Sequence, residues 1–224
     1  GHWHFMTFGL TSLGGPVPAS TTGVDGFGFE LTVRVAPAKG ERGVPTWPAA
    51  LLYDFAAFAQ KTAYRFEVGH HMPHGRSLAG DLPSTLRAVG FAEDPELGRA
   101  TTPYGRMTFL QLVGLTEDEE AFAAEWSADG LFTALAESNP LHVLHLDWES
   151  LLTGPSQRTQ RIRWRKVPCM RLESPEPKKT THPILGSSAG ANAMYSAWSR
   201  WCSSSLPALY LSFWPMVTAC AVPV

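Results

Sequence analysis

The segment Phe27–Val35 (FGFELTVRV) constrains the fold more than any other part of this 224-residue sequence. Every second residue is apolar, so the apolar side chains share one face of a strand while Glu30, Thr32 and Arg34 share the other. The alternation predicts a half-buried β-strand whose apolar face meets a core and whose polar face meets solvent. A strand of this kind requires a sheet and at least one layer that covers it.

Several further segments have the pattern of strands. Gly1–Leu10 alternates aromatic with polar residues, and residues 108–113 are almost continuously apolar. A continuous apolar run is typical of a central strand that is covered on both faces, so Phe109 is expected in the core. Residues 69–84, which are rich in His, Gly and Pro, are predicted to form a loop. The predicted strands besides Phe27–Val35 are 1–10, 64–68, 86–92, 106–115 and 141–146.

The first predicted helix begins near Pro48. Thr46 precedes it as the N-cap candidate, and proline is tolerated in the first helical turn because its missing N–H has no partner there. Leu51, Phe55 and Phe58 then recur at helical spacing and predict a buried stripe.

Two more helices are predicted after residue 115. Thr116 and Glu119 form the pattern of a capping box, which marks the start of the second helix. Phe122 and Trp126, four residues apart, are expected to be its buried apolar face. The third helix is predicted over Leu131–Glu137. The order of these elements predicts an α+β fold in which helices cover a mixed β-sheet.

Charge divides the chain into two parts near residue 154. Residues 1–154 contain 18 Asp and Glu against 9 Lys and Arg, a net charge of −9, whereas residues 155–224 have a net charge of +7. All three cysteines, Cys169, Cys202 and Cys220, lie in the second part. These shifts predict one acidic domain over 1–154 and, over 155–224, a basic tail containing Pro, Ser and Cys that is poorly ordered or divergent.

Composition argues against several functional classes. The net charge of the whole chain is −2, whereas a nucleic-acid-binding protein normally has an excess of basic residues. The last 24 residues have no charged side chain, but Pro207, Pro215 and Pro223 interrupt them, so we expect no membrane span. A domain tethered to a membrane by residues 206–224 is the weaker alternative. The wide spacing of the cysteines argues against a disulfide framework and favours a reducing compartment, which we expect to be the cytoplasm.

Two groups of histidines are the strongest candidates for catalytic chemistry. His2 and His4 share one face of the first predicted strand, and His70, His71 and His74 lie in the loop that follows residue 68. Zinc requires three or four nitrogen, sulfur or oxygen ligands, and neither group includes an HExxH helix or a nearby cysteine. A metal-dependent hydrolase that uses these histidines is the alternative hypothesis. We predict no catalytic, cofactor-binding or metal-ligating residue, and therefore neither a cofactor nor an enzyme.

Five sequence blocks, read in order, resemble the N-terminal domain of the Suppressor of fused family. The five blocks lie within residues 2–114, and the resemblance to the family fades only after Leu152. The blocks are His2–Phe5 with Phe8–Leu10, Gly26–Thr32, Pro45–Ala49, Glu93–Pro95, and Thr102–Gly105 with Thr108–Gly114.

The resemblance implies a mixed α/β sandwich without catalytic residues. It implies for animal members a cytoplasmic regulator that sequesters Gli-type transcription factors, and for some bacterial relatives an immunity role against toxins. In the animal protein a second domain completes the partner site, and residues 155–224 do not match that domain, so no partner-contacting residue is carried over. The leading hypothesis is a non-enzymatic, protein-binding regulatory domain, in which the acidic surface favours a basic partner.

Overall fold

The structure is a computed structural model of the chain that describes residues 1–11, 24–38, 40, 43–153 and, for the backbone alone, 218–223. Within these residues the chain forms seven strands and three helices. The strands are β1 (Trp3–Phe8), β2 (Val24–Val35), β3 (His71–Pro73), β4 (Ala88–Glu93), β5 (Arg99–Thr102), β6 (Gly105–Leu115) and β7 (Thr218–Pro223). The helices are α1 (Trp47–Thr62), α2 (Glu117–Glu125) and α3 (Ala128–Ser138).

The strands form one mixed sheet with the order β3-β4-β6-β2-β1-β7, and β5 pairs with the start of β6. β2 and β6 run parallel, and the other pairings between the named strands are antiparallel. Parallel neighbours require a crossover connection, and the chain between β2 and β6 supplies it with α1 and β3 to β5.

Helices cover both faces of the sheet, and each face has its own apolar core. On the first face, Leu51 and Phe55 of α1 are buried against apolar residues of β2, β4 and β6. On the second face, Leu131 and Phe132 of α3 pack on small residues of β4 and on the end of β6. Gly90 of β4 allows this contact, because a Cβ at that position would overlap the Phe132 ring. The predicted class, an α+β fold in which helices cover a mixed sheet, is confirmed.

β2 is buried on both faces, so the prediction that its polar face meets solvent is wrong. Glu30, Thr32 and Arg34 are 0% exposed, as are Leu31 and Val33 on the apolar face. The chain after β1 bonds to Glu30, and the chain after β4 bonds to Thr32 and Arg34. The chain after α3 bonds to the backbone of β2 and to Gln111 of the neighbouring strand β6. The alternation therefore predicts the strand but not its second covering layer.

Two short strands differ from the sequence prediction. Residues 64–68 form no strand, and β3 lies instead inside the predicted loop 69–84. β5 occupies a segment between two turns for which the sequence predicts no strand. Its four residues pair with the start of β6, and such a short hairpin shows little alternation to detect.

The strand predicted over residues 141–146 is also absent. One parallel bridge, between Val35 and Leu144, takes its place. The Asn139 side chain accepts a hydrogen bond from the N–H of Val143 at 3.0 Å and donates one to its C=O at 2.8 Å. The pairing with β2 uses the N–H and C=O of Leu144, so His142 and Leu146 would have to continue it. His142 has a left-handed φ of +47°, and the C=O of Leu146 accepts a hydrogen bond from the N–H of Thr85 at 3.1 Å, which explains why the pairing stops after one bridge.

The start of α2 matches the prediction, but its packing matches only in part. The capping box is confirmed, with the N–H of Thr116 donating to Glu119 Oε2 at 3.0 Å. The predicted apolar face is correct for Phe122, which is half-buried and packs against the second core, and wrong for Trp126, which is 46% exposed. The buried residues of α2 are Glu119 and Ala123.

The central strand β6 is confirmed, but the expected burial of Phe109 is wrong. Leu110 and Leu112 are 2% and 0% exposed, whereas Phe109 is half-buried and lies outside both apolar cores. Phe109 is in register with Glu30 of β2, at a part of the second face where Glu30 makes polar contacts. A continuous apolar run therefore does not fix which of its residues lies deepest.

β7 is the described part of the sequence that follows Thr153. Its backbone pairs antiparallel with all six residues of β1, from Trp3 opposite Pro223 to Phe8 opposite Thr218. Residues 154–217 and 224 lie outside the described residues, so the domain boundary near 154 and the nature of the tail stay predictions. No helix in the described ranges has the length and apolar character needed to cross a membrane.

Candidate functional site: the open edge at β3

One end of the sheet is the three-residue strand β3, which pairs with β4. Met72, at its centre, is 1% exposed and belongs to the core beneath α1. Its neighbours His71 and Pro73 are half-buried. One apolar residue therefore anchors the strand, and the residues on either side of it border solvent.

The local sequence explains why this strand is short and lies at an edge. Gly69 has a φ of +88°, a left-handed conformation that glycine adopts without strain, and its N–H donates to the C=O of Phe91 at 2.9 Å. Pro73 has no backbone N–H, and prolines within sheets are confined to edges. Pro73 was the sequence signal that could have identified this edge inside the predicted loop.

The outer side of β3 presents backbone groups that have no partner among the described residues. The N–H of His74 donates to the C=O of Arg87, on the β4 side, at 2.8 Å. In an antiparallel pair these groups alternate between the partner and the opposite side, so Met72 also faces β4 while His71 and Pro73 face outwards. No strand among the described residues pairs with this outer side. The N–H of His71 and the C=O groups of His71 and Pro73 therefore form a short hydrogen-bonding edge.

Two histidines flank this edge and contact different elements. His71 Nδ1 lies 3.3 Å from Glu120 Oε1 of α2. His70 Nδ1 lies 3.4 Å from the Tyr64 hydroxyl and 3.2 Å from the backbone nitrogen of Glu67. Burial lowers the pKa of His70 from its usual 6.5 and raises the pKa of Tyr64. His70 and Tyr64 are therefore uncharged at neutral pH and give this flank of the edge a neutral surface.

The histidines identified from the sequence do not converge on one point. His70 and His71 contact the separate partners described above, and His74 Nδ1 lies 3.2 Å from the carbonyl oxygen of Arg76. His4 belongs to β1, and three strands lie between β1 and β3. Within the part of the chain that the structure describes, no three His, Cys, Asp or Glu side chains come together as a metal site.

A buried polar network that the sequence analysis missed lies on the second face of the sheet. Arg34 Nη1 donates to Asp94 at 2.8 Å and to Gln111 at 2.6 Å, and its Nη2 donates to Asp94 at 3.0 Å and to Glu96 at 2.7 Å. Burial alone would raise the pKa of Asp94, but its contacts with His4 and Arg34 hold that pKa well below the usual range. The side chains of Arg34 and Asp94 are 0% exposed, so this ion pair joins β2 to the turn after β4.

Glu30 makes a second set of buried contacts on the same face. Its Oε1 accepts hydrogen bonds from the backbone N–H groups of Gly9, Leu10 and Thr11, at 2.9 to 3.0 Å. Its Oε2 accepts a bond from the Thr7 hydroxyl at 2.6 Å. Because Glu30 and Arg34 have no exposed surface, they hold the turns after β1 and β4 in place and cannot touch a partner.

Comparison with known proteins establishes the family. The family model described as "Suppressor of fused protein (SUFU)" matches residues 1–147. The chain belongs to the Suppressor of fused family. The Suppressor of fused homologs of Homo sapiens and Mus musculus are each 36% identical to it over 138 residues, which are 60% of this chain and 28% of theirs. The resemblance deduced from the five sequence blocks is confirmed.

Two solved structures of the family share the fold. The Sufu-Fu complex crystal structure has 32% identity and a TM-score of 0.61, and the match covers 67% of this chain and 70% of that one. Drosophila Suppressor of Fused has 28% identity and a TM-score of 0.65, with 72% of this chain and 41% of that one covered. The present chain spans only 28% of the length of the curated homologs that it matches.

Proposed function

We propose that this chain is a non-enzymatic regulatory domain that binds another protein, and that the β3 edge accepts an extended segment of that partner. The observation that carries the proposal is the outward-facing backbone of His71 and Pro73 at one end of the sheet. An extended peptide can add to such an edge as a further strand. Main-chain hydrogen bonds then supply affinity, and neighbouring side chains supply specificity.

Membership of the family supports a protein partner. A relative with the same fold forms the Sufu-Fu complex. The family match over residues 1–147 includes β1 to β6 and all three helices, and therefore the whole surroundings of β3. We infer that binding to a protein belongs to this part of the fold.

The charge of the domain favours a basic partner. Residues 1–154 have a net charge of −9, and complementary charge accelerates encounter and suppresses binding to wrong partners. Two regulatory roles fit this chemistry: sequestration of a cellular protein, and immunity against a toxin whose nucleic-acid-binding surface is basic. We place either role in the cytoplasm, because the three cysteines are spaced too widely for a disulfide framework.

The alternative from another class, a metal-dependent hydrolase, gains no support from the described geometry. His70, His71 and His74 each contact a different partner, as described above. Hydrolysis at a zinc site needs three protein ligands around one open position. We therefore propose binding, and not catalysis, as the function of the region around β3.

Two substitutions of His71 test the proposal. His71→Pro removes the outward N–H, whereas His71→Thr removes the imidazole but keeps the N–H and a residue type that strands favour. Each full chain is immobilised and used to capture proteins from cells that naturally contain it, with quantification by mass spectrometry. We expect one protein to be captured by the wild type and by His71→Thr, and to be reduced about tenfold by His71→Pro, which corresponds to about 1.4 kcal/mol.

Circular dichroism on heating is the control for folding. We expect both His71 variants to unfold near the temperature of the wild type, because Met72, and not His71, anchors β3 in the core. A protein captured equally by all three chains would place the binding surface elsewhere. Equal loss in both variants would assign the interaction to the imidazole and would contradict strand addition.

A further inference from the structure

The C-terminal end of α2 has an aromatic pair, Phe122 inside the helix and Trp126 at its C-cap, that is partly open to solvent. Phe122 and Trp126 lie about one helical turn apart, with ring centroids 6.2 Å apart and ring planes inclined by 12°. Trp126 is 46% exposed and is the largest exposed apolar side chain in the described part of the domain. Tryptophan is strongly enriched among the residues that dominate binding energy at protein interfaces.

The surroundings of Trp126 are acidic. Glu125 precedes it in the chain and Asp129 follows three residues later; both are exposed, and no ion pair among the described residues involves either carboxylate. Between residues 107 and 157 the sequence contains nine Asp and Glu but no Lys or Arg. We call Phe122, Glu125, Trp126 and Asp129 the Trp126 face.

The end of α2 adds negative potential at the same place. Its last carbonyl groups form the negative end of the helix dipole, and no basic residue lies in its last turn. α3 begins two residues after Trp126, but the N–H of Gly130 donates to Ser127 Oγ at 3.2 Å and Asp129 lies in the first turn. These groups offset the positive end of α3, so the Trp126 face attracts cations.

The Trp126 face lies close to the β3 edge. Glu120 of α2 is 3.3 Å from His71 of β3. Asp129 Oδ1 is 3.2 Å from the position that a Cβ on Gly69 would occupy, just before β3. A partner segment that leaves the β3 edge beside Gly69 therefore passes the start of α3, which lies two residues after Trp126 in the chain.

We propose that the Trp126 face binds arginine side chains of a basic segment in the partner protein. This inference rests on the proposed protein partner, but it does not depend on strand addition at β3. A guanidinium can stack on an indole ring while its N–H groups donate to carboxylates, whereas the lysine ammonium offers only a point charge. Loss of one such contact weakens binding by about threefold at an exposed ring and by up to about thirtyfold at a desolvated one.

Charge complementarity selects a basic protein segment as the occupant. The phosphates of nucleic acids and of anionic membranes would be repelled by Glu125 and Asp129. The basic run Arg158–Arg165 of this same chain is the rival occupant, because it begins shortly after Ser150, whose hydroxyl donates to Asp118 of α2 at 2.6 Å. The experiment distinguishes this rival from a partner protein.

Fluorescence anisotropy with a fluorescein-labelled peptide of five Arg-Gly repeats tests the proposal on the full chain. We expect Trp126→Ala to weaken binding by about tenfold, and Trp126→Phe, which keeps an aromatic ring, to weaken it by about threefold. Glu125→Gln should weaken binding by about threefold, whereas Glu137→Gln, which removes an exposed carboxylate at the far end of α3, should change it by less than about twofold.

Two results would overturn the proposal. One is a peptide affinity that Trp126→Ala leaves unchanged. The other is equal weakening by Glu125→Gln and Glu137→Gln, which would show attraction by net charge alone. Circular dichroism confirms folding of each variant, and Trp126→Phe keeps the test valid if Trp126→Ala does not fold.

A chain in which the arginines of the run 158–165 are replaced by glutamine tests the rival occupant. Unchanged peptide affinity in this chain supports a partner protein. Binding that becomes about tenfold tighter, and loses this gain when Trp126→Ala is added, would show that the chain's own segment fills the face and would overturn the proposal.

The two proposals can fail separately. Capture of a partner that is insensitive to His71→Pro, together with peptide binding that is sensitive to Trp126→Ala, would reject the β3 edge and support the Trp126 face. The reverse pattern would reject the Trp126 face alone.

Discussion

The two faces of β2 are equally buried but are stabilised by different kinds of contact. Leu31 and Val33 lie in the apolar core beneath α1, whereas Glu30 and Arg34 on the opposite face bond to specific polar partners, and all four are 0% exposed. Burial of the apolar face follows from residue type. Burial of the polar face requires each partner to be in place, because an unpaired buried charge costs several kcal/mol. The comparison teaches that alternation reveals a strand but not the surroundings of its polar residues.

The largest expected effect comes from breaking the polar face at its centre. Arg34→Met should lower the free energy of unfolding by about 3–5 kcal/mol, because Asp94 then stays buried without its cation. Denaturant titration measures the loss. Arg34→Met combined with Asp94→Leu should recover part of it, since an apolar replacement of a buried ion pair is often tolerated. A cost below about 1 kcal/mol for Arg34→Met would contradict the buried network.

The matching change on the apolar face is Leu31→Ala. We expect a loss of about 2–5 kcal/mol, the usual cost of emptying a leucine site in a packed core. Unlike the loss caused by Arg34→Met, this loss should be the same at acidic and neutral pH, because no titrating group is removed. Denaturant titrations of both variants at two pH values make the comparison.

Acidification should reduce the contribution of the polar face of β2 to stability before it affects the contribution of the apolar face. Burial, with the nearby Arg34 charge, lowers the pKa of His142 below its usual 6.5, so on acidification the unfolded chain takes up this proton before the folded chain does. Stability is then complete above pH 6.5 and falls as the pH drops towards the lowered pKa. The pKa of Asp94 is also lowered, so its contribution is present above its usual 3.8 and is lost below it.

Denaturant titration across this pH range measures the free energy of unfolding and therefore both losses of stability, the first from His142 and the second from Asp94. His142→Asn should reduce the first loss, and the left-handed backbone of residue 142, with φ of +47°, tolerates asparagine. Arg34→Met should reduce the loss of stability that comes from Asp94, because Asp94 then loses one of the partners, besides His4, that lower its pKa. Stability that stays constant between about pH 7 and 5 would contradict the burial of His142.

Two helix caps extend the comparison to smaller effects. Glu119 is 0% exposed and also accepts hydrogen bonds from Trp148 Nε1 at 3.2 Å and from the N–H of Leu151 at 2.9 Å. Glu119→Ala should therefore cost about 2 kcal/mol, at the upper end for a cap. Ser127 caps α3 and is exposed to solvent, so Ser127→Ala should lower the free energy of unfolding by about 1 kcal/mol or less in the same denaturant titration. Equal costs would show that burial adds nothing to the Glu119 contacts.

Local signals predicted the parts of the fold that depend on neighbours in sequence. The capping box of Thr116 and Glu119 lies within four residues, and the alternation in β2 is a property of the strand itself. Arg34 and Asp94 are 60 positions apart, and neither residue type indicates the other. Trp126 shares a helix face with Phe122, but helical spacing does not say which face meets the core.

The candidate site was harder to predict than the fold. β3 is too short to show a period, and the spacing of its histidines is compatible with metal chemistry, although their side chains contact separate partners. Pro73 was a usable signal, since it marks an edge when it falls within a strand. The sequence does not show that β3 pairs with β4 along one edge while no described strand pairs with its other edge.

Amide hydrogen exchange at β3 tests most directly the central claim, that an extended segment of a partner adds to the open edge. In the chain alone, the amide of Met72, which faces β4, should exchange slowly, and the outward amide of His71 should exchange quickly. Adding the captured partner should slow exchange at His71 by at least about tenfold and leave Met72 unchanged. Slow exchange at His71 in the chain alone, or no change at His71 when the partner binds, would contradict the claim.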